Sequence, residues 1–280
     1  MRYTTLISCA DAHTQIYNPA WRFFDCRFDL MKPKSGRKQY QTDHIPGATY
    51  VHLDKDLSSP IGPQTGRHPL PDVDALVAKL SKWGVGDETQ VVVYDDNIGM
   101  FASRLWWLLR WLGHEKVAVL DGGYQAWKAE GQPVTAEVKQ HEPATFPPKL
   151  QEGWVVTTHE IMALEQAGDI LLDARAPERY RGEVEPIDPV AGHIPGALNY
   201  PLTNNIGEDG LFKDTTCLRE QLIAVVGELG GPEVIHYCGS GVSACHNILA
   251  MERAGMHGSK LYPGSWSEWI RDPVRRVEKA

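Results

Sequence analysis

An internal duplication constrains the fold of this 280-residue chain more than any other feature of its sequence. Four short blocks occur twice in the same order, first from Phe23 to Trp127 and again from Leu171 to Trp269. Each copy holds an apolar run ending in Asp-x-Arg, a His-Ile-Pro-Gly-Ala turn, a second apolar run, and a closing block with glycine and tryptophan. Such a repeat predicts two domains of one design, because each copy is long enough to form its own core.

The order of elements within each copy indicates the fold class. Short apolar runs alternate with helical stretches, which is typical of a parallel sheet with helices on both faces. We therefore predict an α/β protein with tandem domains at residues 1–135 and 155–280. The stretch from Gln132 to Gly153 contains four prolines and little periodicity, which predicts an extended linker at residues 136–154.

Composition and charge narrow the classes of function. A hydrophobic content of 42% and a charged content of 23% are ordinary for a globular protein. The net charge of −8 argues against nucleic acid or an acidic membrane as the main partner. The N-terminus lacks the apolar core of a signal peptide, and no window approaches the ~20 apolar residues of a membrane span. We therefore expect no membrane association and a cytoplasmic protein.

The cysteines fit the same expectation. The chain has five of them, an odd number, and no Cys-x-x-Cys pair. This pattern predicts neither a disulfide framework nor a zinc site. Free thiols in a reducing compartment account for it better.

The segment around Cys238 carries the clearest chemical signal. An apolar run ends at Tyr237, and Cys238, two nearby glycines and a helical stretch follow, which predicts a strand, a tight loop and a helix. Gly239 and Gly241 allow the loop to curl its backbone N–H groups around the sulfur, and a helix N-terminus adds to this preference for an anion. Cys238 is therefore a candidate nucleophile as its thiolate.

The first copy has no cysteine at the matching position. Asp95 or Asp96 stands there, because the loop to Ala102 is one residue longer than the loop from Cys238 to Ala244. A carboxylate cannot accept or carry sulfur. We therefore predict that only the second domain is catalytic and that the first supplies a wall of the cleft.

Residues that recur in both copies have a structural interpretation. His44 and His193 begin the two His-Ile-Pro-Gly-Ala turns, and Arg27 and Arg175 end the two Asp-x-Arg pairs. Because one copy is predicted to be inactive, we expect these four residues to support the fold rather than bind substrate.

These features together resemble the tandem rhodanese-domain sulfurtransferases over essentially the whole chain. The resemblance lies in the paired His-Ile-Pro-Gly-Ala turns, the Asp-x-Arg pairs and the single cysteine loop, and it implies two rhodanese-like domains. The loop Cys238-Gly-Ser-Gly-Val-Ser243 is similar to the Cys-Gly-Ser-Gly-Val-Thr form associated with 3-mercaptopyruvate sulfurtransferases. The thiosulfate form instead carries Arg and Lys directly after the cysteine.

The resemblance also implies a set of substrate-binding residues. Arg179 matches the substrate-binding arginine of the family, and its planar guanidinium suits the carboxylate of mercaptopyruvate. Arg181 is a second candidate, because Ile187 stands where family members often carry an arginine after a Glu-Pro pair. The loop residues expected around the substrate are Gly239, Gly241, Val242 and Ser243.

The mechanism that the resemblance implies has two half-reactions. Cys238 takes the sulfur of mercaptopyruvate as a persulfide and releases pyruvate, and a thiol such as reduced thioredoxin, or cyanide, then removes that sulfur. Ser240, with Asp54 and His68 supplied by the first domain, would relay the protons. For His68 an ordinary loop position is an equal alternative. No metal or organic cofactor is implied, since sulfur chemistry at a cysteine needs neither.

Three other functions stay open at this point. Thiosulfate could be the donor, although Gly239 and Ser240 place no cation in the loop. Both copies could be non-catalytic binding modules, although a scaffold would not require the glycine loop. A protein phosphatase of this topology needs an arginine at the sixth position after the cysteine, where this chain has Ala244.

Overall fold

The computed structural model describes residues 2–164 and 168–280. The chain divides into two compact units, of which the first is Met1–Ser59 with Leu70–Gln151 and the second is Pro60–Pro69 with Glu152–Ala280. The segment Pro60–Pro69, called the arm below, thus packs with the second unit although it lies in the first half of the sequence. The residues of the predicted linker up to Gln151 pack with the first unit, and the predicted domain bounds stay predictions.

The first unit is built on one sheet whose strand pairings are all parallel. Its strands are β1 (Leu6–Ile7), β2 (Trp21–Asp25), β3 (Thr49–Tyr50), β4 (Gln90–Tyr94) and β5 (Val117–Leu120). They lie in the order β1-β5-β4-β2-β3. All five residues of β4 are buried, which is expected for an inner strand of a sheet covered on both sides.

Short helices connect these strands. They are α1 (Cys9–His13), α2 (Ser35–Thr42), α3 (Leu53–Asp56), α4 (Val73–Lys82), α5 (Ala102–Trp111) and α6 (Gly123–Ala129). One core cluster joins Phe23 and Val92 of the sheet to Trp127 of α6. The repeated tryptophan of the closing block is therefore a core residue of this unit.

The second unit repeats the design with a smaller parallel sheet. Its strands are β6 (Ile170–Asp173), β7 (Leu198–Asn199), β8 (Val234–Tyr237) and β9 (Lys260–Leu261). They lie in the order β7-β6-β8-β9. Its helices are α7 (Thr158–Met162), α8 (Pro177–Tyr180), α9 (Thr215–Val226), α10 (Ala244–Arg253) and α11 (Ser265–Trp269). The predicted α/β class, with a parallel sheet in each copy, is confirmed.

The residues that recur in both copies make the same contacts in each unit. Arg27 pairs with Asp25 at 2.6 Å and Arg175 pairs with Asp173 at 2.7 Å. Each guanidinium also donates to the carbonyl oxygen just before its His-Ile-Pro-Gly-Ala turn. The two turn histidines stack on tyrosines, with ring centroids 3.9 and 3.8 Å apart. These matching contacts support the structural interpretation of the repeated residues.

None of the helices within residues 2–164 and 168–280 combines the length and the apolar character that crossing a membrane would require.

Candidate active site

The candidate active site is the loop between β8 and α10 in the second unit. Cys238 directly follows β8, and only 2% of the residue is exposed. Its backbone N–H donates to Ser265 Oγ at 3.1 Å, and its carbonyl oxygen accepts from the N–H of Trp266 at 3.0 Å. The cysteine is therefore held between the end of a strand and the start of α11.

The loop curls around the sulfur as the glycines predicted. The backbone N–H of Ser240 lies 3.5 Å from Cys238 Sγ. Gly241 has a φ of +73° in the left-handed region, and a Cβ there would lie 2.5 Å from the carbonyl oxygen of Pro263. α10 begins directly after Ser243, so the N-terminus of that helix lies at the end of the loop. The N–H of Ser240 and a nearby helix N-terminus both favour a negative charge at this position.

The arm brings His68 to this loop. His68 Nδ1 lies 2.7 Å from Ser240 Oγ, and both residues are 5% exposed. The sequence predicted both residues, but it assigned His68 to the first domain, whereas the arm that carries it packs with the second unit. A buried serine–histidine pair beside a cysteine can move a proton to or from a group bound there.

Close backbone packing holds the arm in place. The N–H of Arg67 donates to Ser267 Oγ at 3.0 Å, and the carbonyl oxygen of Thr65 accepts from Arg271 Nε at 3.1 Å. Gly66 lies so close to the second unit that a Cβ on it would be 2.5 Å from the carbonyl oxygen of Gly264. The placement of His68 therefore depends on the absence of a side chain at position 66.

Two guanidinium groups lie beside Gly239. A Cβ at this position would be 2.8 Å from Arg67 Nη2 and 3.7 Å from Arg179 Nη2. Arg179, on α8, was predicted from the sequence, whereas Arg67 was missed. The available signal was its position directly before His68, which the family resemblance had already associated with Ser240 of the cysteine loop.

Two buried carboxylates hold these guanidinium groups. Glu185 accepts from Arg179 Nη2 at 2.6 Å and from its Nε at 3.2 Å. Asp188 pairs with Arg67 and lies 3.5 Å from Arg179 Nη2. Burial raises the pKa of Asp188, and Arg67 opposes that rise. Burial also raises the pKa of Glu185. The hydrogen bonds and the charge of Arg179, together with two backbone N–H groups, outweigh burial and bring this pKa below its ordinary value.

The remaining predicted residues lie elsewhere or line the loop. Arg181 pairs with Glu183 at 2.8 Å, and both side chains are more than 40% exposed. Asp54 is exposed on α3 of the first unit. Val242 is buried in the loop, with 5% exposure. The roles predicted for these residues stay predictions.

Across residues 2–164 and 168–280, no group of three or more His, Cys, Asp or Glu residues is arranged to hold a metal ion.

In the first unit, the loop that corresponds to the cysteine loop surrounds the carboxylate of Asp95. Asp95 follows β4 as Cys238 follows β8, and it is fully buried. Its carboxylate accepts four backbone N–H groups at 2.7–2.9 Å, from Asn97, Gly99, Phe101 and Ala102. Burial raises the pKa of Asp95, and these four donors oppose the rise. Asp96 instead accepts from Gln39 at 3.0 Å, so Asp95 is the residue that replaces the cysteine.

The fold and the site define an α/β protein with two copies of one domain, of which the second carries a cysteine inside an anion-favouring loop. The model of the rhodanese-like domain matches residues 8–130 and 157–272. The chain belongs to the rhodanese-like domain family, which confirms the resemblance found in its sequence.

Similar proteins carry sulfurtransferase names. A probable 3-mercaptopyruvate sulfurtransferase of Pseudomonas aeruginosa is 46% identical over 280 residues, which covers 99% of each chain. The thiosulfate sulfurtransferase of Rattus norvegicus is 36% identical over 271 residues, covering 93% of this chain and 89% of the rat protein. Among solved structures, the 3-mercaptopyruvate sulfurtransferase from Leishmania major superposes with a TM-score of 0.85 at 30% identity, covering 97% of this chain and 76% of that one.

Proposed function

We propose that this chain is a sulfurtransferase that takes the sulfur of 3-mercaptopyruvate onto Cys238 and releases pyruvate. The observation that carries the proposal is a buried cysteine whose sulfur faces the N–H of Ser240, in a loop beside the guanidinium groups of Arg67 and Arg179. Such groups bind a carboxylate through paired, charge-assisted hydrogen bonds. The names of the Pseudomonas and Leishmania proteins support mercaptopyruvate as the donor.

The first half-reaction loads the cysteine. The Cys238 thiolate attacks the sulfur of mercaptopyruvate, a new S–S bond forms, and the electron pair of the breaking C–S bond leaves on the enolate of pyruvate. The enolate then takes up a proton and departs as pyruvate. The backbone N–H groups after Cys238 stabilise the negatively charged persulfide, as fixed donors do for developing anions in other enzymes.

The second half-reaction transfers the outer sulfur to a thiol such as reduced thioredoxin, or to cyanide in an assay. A thiol acceptor must lose its proton to attack, and the enolate of the first step must gain one. The 2.7 Å contact between Ser240 and His68 supports a relay for both transfers. Because each half-reaction begins from a different form of the enzyme, ping-pong kinetics are expected.

Thiosulfate is a second candidate donor, and one feature of the site favours it. The loop itself contains no cation, but Arg67 and Arg179 supply two of them beside Gly239. The thiosulfate form of the family places its arginine at that loop position. The name of the rat relative also supports this donor.

We place the reaction in the cytoplasm. All five cysteines are free thiols, which supports a reducing compartment. A thiol acceptor also stays reduced in such a compartment.

The test offers the purified chain either mercaptopyruvate or thiosulfate and follows its intact mass and the pyruvate released. Gain of one sulfur atom with pyruvate release, both absent in Cys238→Ser, is the expected result. Loading by thiosulfate alone would replace mercaptopyruvate as the donor. No sulfur from either compound would favour a non-catalytic binding module.

A further inference from the structure

We propose that the first unit binds an acidic protein segment, whose carboxylates contact a basic surface on α2 and whose apolar side chain enters a neighbouring cleft. This inference goes beyond the proposed function and does not depend on it. It concerns the unit without the reactive cysteine and requires no sulfur transfer.

The first-unit cleft lies beside the loop that follows β4 and has a volume of about 540 Å³. Its apolar walls are Phe28, Leu30, Met100 and Phe101. Two of these rings, Phe28 and Phe101, pack edge to face with centroids 5.5 Å apart. Binding pockets of this size accept large side chains or small molecules, so the cleft has room for an apolar anchor.

The polar groups of the first-unit cleft differ from those beside the cysteine. Gln39 corresponds to Arg179, because each directly precedes the tyrosine that stacks on its turn histidine. Gln39 Nε2 donates to Asp96 at 3.0 Å, and Asp29 accepts two backbone N–H groups at 2.8 and 3.1 Å. Both carboxylates of the cleft thus contact donors of the chain itself. The interior therefore suits an apolar group better than a small anion.

The basic surface borders this cleft. Within seven residues the chain carries four exposed cations, which are Lys32, Lys34, Arg37 and Lys38. In the described part of the chain no carboxylate pairs with any of them, and Asp43 at the end of α2 pairs with Arg27 and Lys128 instead. The net charge of the chain is −8, so this concentration of positive charge is local. It attracts a partner rich in carboxylates.

The order of charges along α2 is unfavourable for the helix itself. Lys34 is its N-cap residue and makes no capping hydrogen bond, and neither an acidic residue in the first turn nor a basic one in the last is present. By contrast, α4 has Asp74 in its first turn and lysines in its last. Cations near a helix N-terminus oppose the helix dipole. Reversing the charges would stabilise α2, so their placement favours a role in binding.

The basic surface is held in a fixed position on the first unit. Gly36 packs so closely against the carbonyl oxygen of Arg27 that a Cβ could not fit there. Tyr40 Oη donates to a backbone carbonyl oxygen at 2.8 Å, and the guanidinium of Arg37 lies 4.8 Å from the centroid of the Tyr50 ring. A helix that is already fixed loses little freedom when a partner binds.

Apolar groups among the cations favour an acidic protein over a nucleic acid. Leu30 is exposed and lines the cleft, and the neighbouring Met31 is 78% exposed. A protein segment can present carboxylates to the lysines and an apolar side chain to the cleft at the same time. The phosphates of a nucleic acid would use only the cations.

The test measures binding of a fluorescein-labelled peptide, Gly-Glu-Asp-Glu-Leu-Phe-Glu-Asp-Glu-Gly, to the full chain by fluorescence anisotropy. We expect binding that weakens as salt is added. Lys34→Glu combined with Lys38→Glu should raise the Kd by about 10-fold, because two attractive contacts become repulsive. Replacing Leu-Phe of the peptide by Ser-Ser should raise it at least about 10-fold through the loss of apolar burial.

Matched controls separate binding from folding and from overall charge. Arg276→Glu combined with Lys279→Glu makes the same change in net charge at exposed positions of the second unit, and it should leave the Kd unchanged. Because glutamate near the N-terminus suits the dipole of α2, the urea midpoint of the Lys34 and Lys38 double variant should not fall.

Three results would overturn the proposal. The first is no binding at about 1 mM peptide, or an equal loss of affinity in both double variants. The second is equal affinity for the Leu-Phe and Ser-Ser peptides, which would remove the cleft from the site. The third is tighter binding of a DNA strand with the same number of charges, which would assign the basic surface to nucleic acid.

Discussion

A methyl group at position 66 should disable the site from a distance, because Gly66 packs against backbone that cannot give way. A Cβ there would lie 2.5 Å from the carbonyl oxygen of Gly264 and 2.9 Å from Ser267 Oγ. Contacts closer than 3.0 Å are essentially absent for real Cβ atoms, and 3.4 Å is an ordinary separation. In Gly66→Ala the arm must therefore move away by about 0.5–0.9 Å.

The size of this shift determines the effect on activity. His68 lies two residues along the arm, 2.7 Å from Ser240 Oγ. A shift of that size would stretch their contact to about 3.2–3.6 Å, where a hydrogen bond is weak or lost. A misplacement approaching 1 Å can lower turnover by about 100-fold, so we expect a loss of about 10- to 100-fold. Overpacking should also lower the free energy of unfolding by about 1–3 kcal/mol.

The arm contains a matched control for this experiment. A Cβ on Gly62 would meet Thr65 Cγ2 at 3.5 Å, an ordinary contact, so Gly62→Ala should keep its activity and stability. Pyruvate formation from mercaptopyruvate gives the turnover, and urea denaturation gives the free energy of unfolding. If Gly66→Ala matched Gly62→Ala in both measurements, close packing of the arm would not be what positions His68.

Three further changes test the roles assigned to buried polar groups. Ser240→Ala should slow both half-reactions about 100-fold, because the proposed relay moves a proton in each of them. Rapid mixing of each half-reaction measures this, and unchanged rates in both would count against the relay. Asp95→Asn should lower the free energy of unfolding by about 1–3 kcal/mol, because the new amide donors face backbone donors. Urea denaturation beside Asp96→Asn measures this, and equal stabilities would contradict it. Burial lowers the pKa of His236 to about 3 from an ordinary value of 6.5, so the unfolded chain binds the extra proton and stability should fall as the pH drops from 6.5 toward 3. Urea midpoints at pH 7 and pH 5 should differ less in His236→Leu, and an equal difference would refute the assignment.

The elements that sequence predicted correctly are those with local patterns. The apolar runs at β4 and β8 predicted strands, and both strands are fully buried. Gly241 predicted a curled loop, because a tight turn next to another backbone requires a residue without a side chain. The repeat also predicted that Arg27 and Arg175 support the fold, and these two arginines make equivalent contacts in separate units.

No local sequence pattern predicted where the arm packs. Pro60–Pro69 has neither helical nor strand periodicity, and it packs against residues about 200 positions away in the chain. Sequence order therefore placed His68 with the first copy, whereas the arm packs with the second unit, and Arg67 directly before it was missed. The choice between Asp95 and Asp96 was equally open, because a one-residue difference in loop length shifts the alignment, and only the four N–H groups around Asp95 decide it.

The two loops show how one backbone design can serve a structural and a chemical purpose. In the first unit the N–H groups converge on the carboxylate of Asp95, an anion that the chain itself supplies and that stays in place. In the second unit the N–H of Ser240 points at a sulfur, which can exist as a thiol, a thiolate or a persulfide. A permanent carboxylate stabilises the loop but blocks chemistry, whereas a cysteine leaves the loop able to stabilise an anion that forms and disappears during turnover. The duplication thus places one loop design around an aspartate in the first unit and around a cysteine in the second.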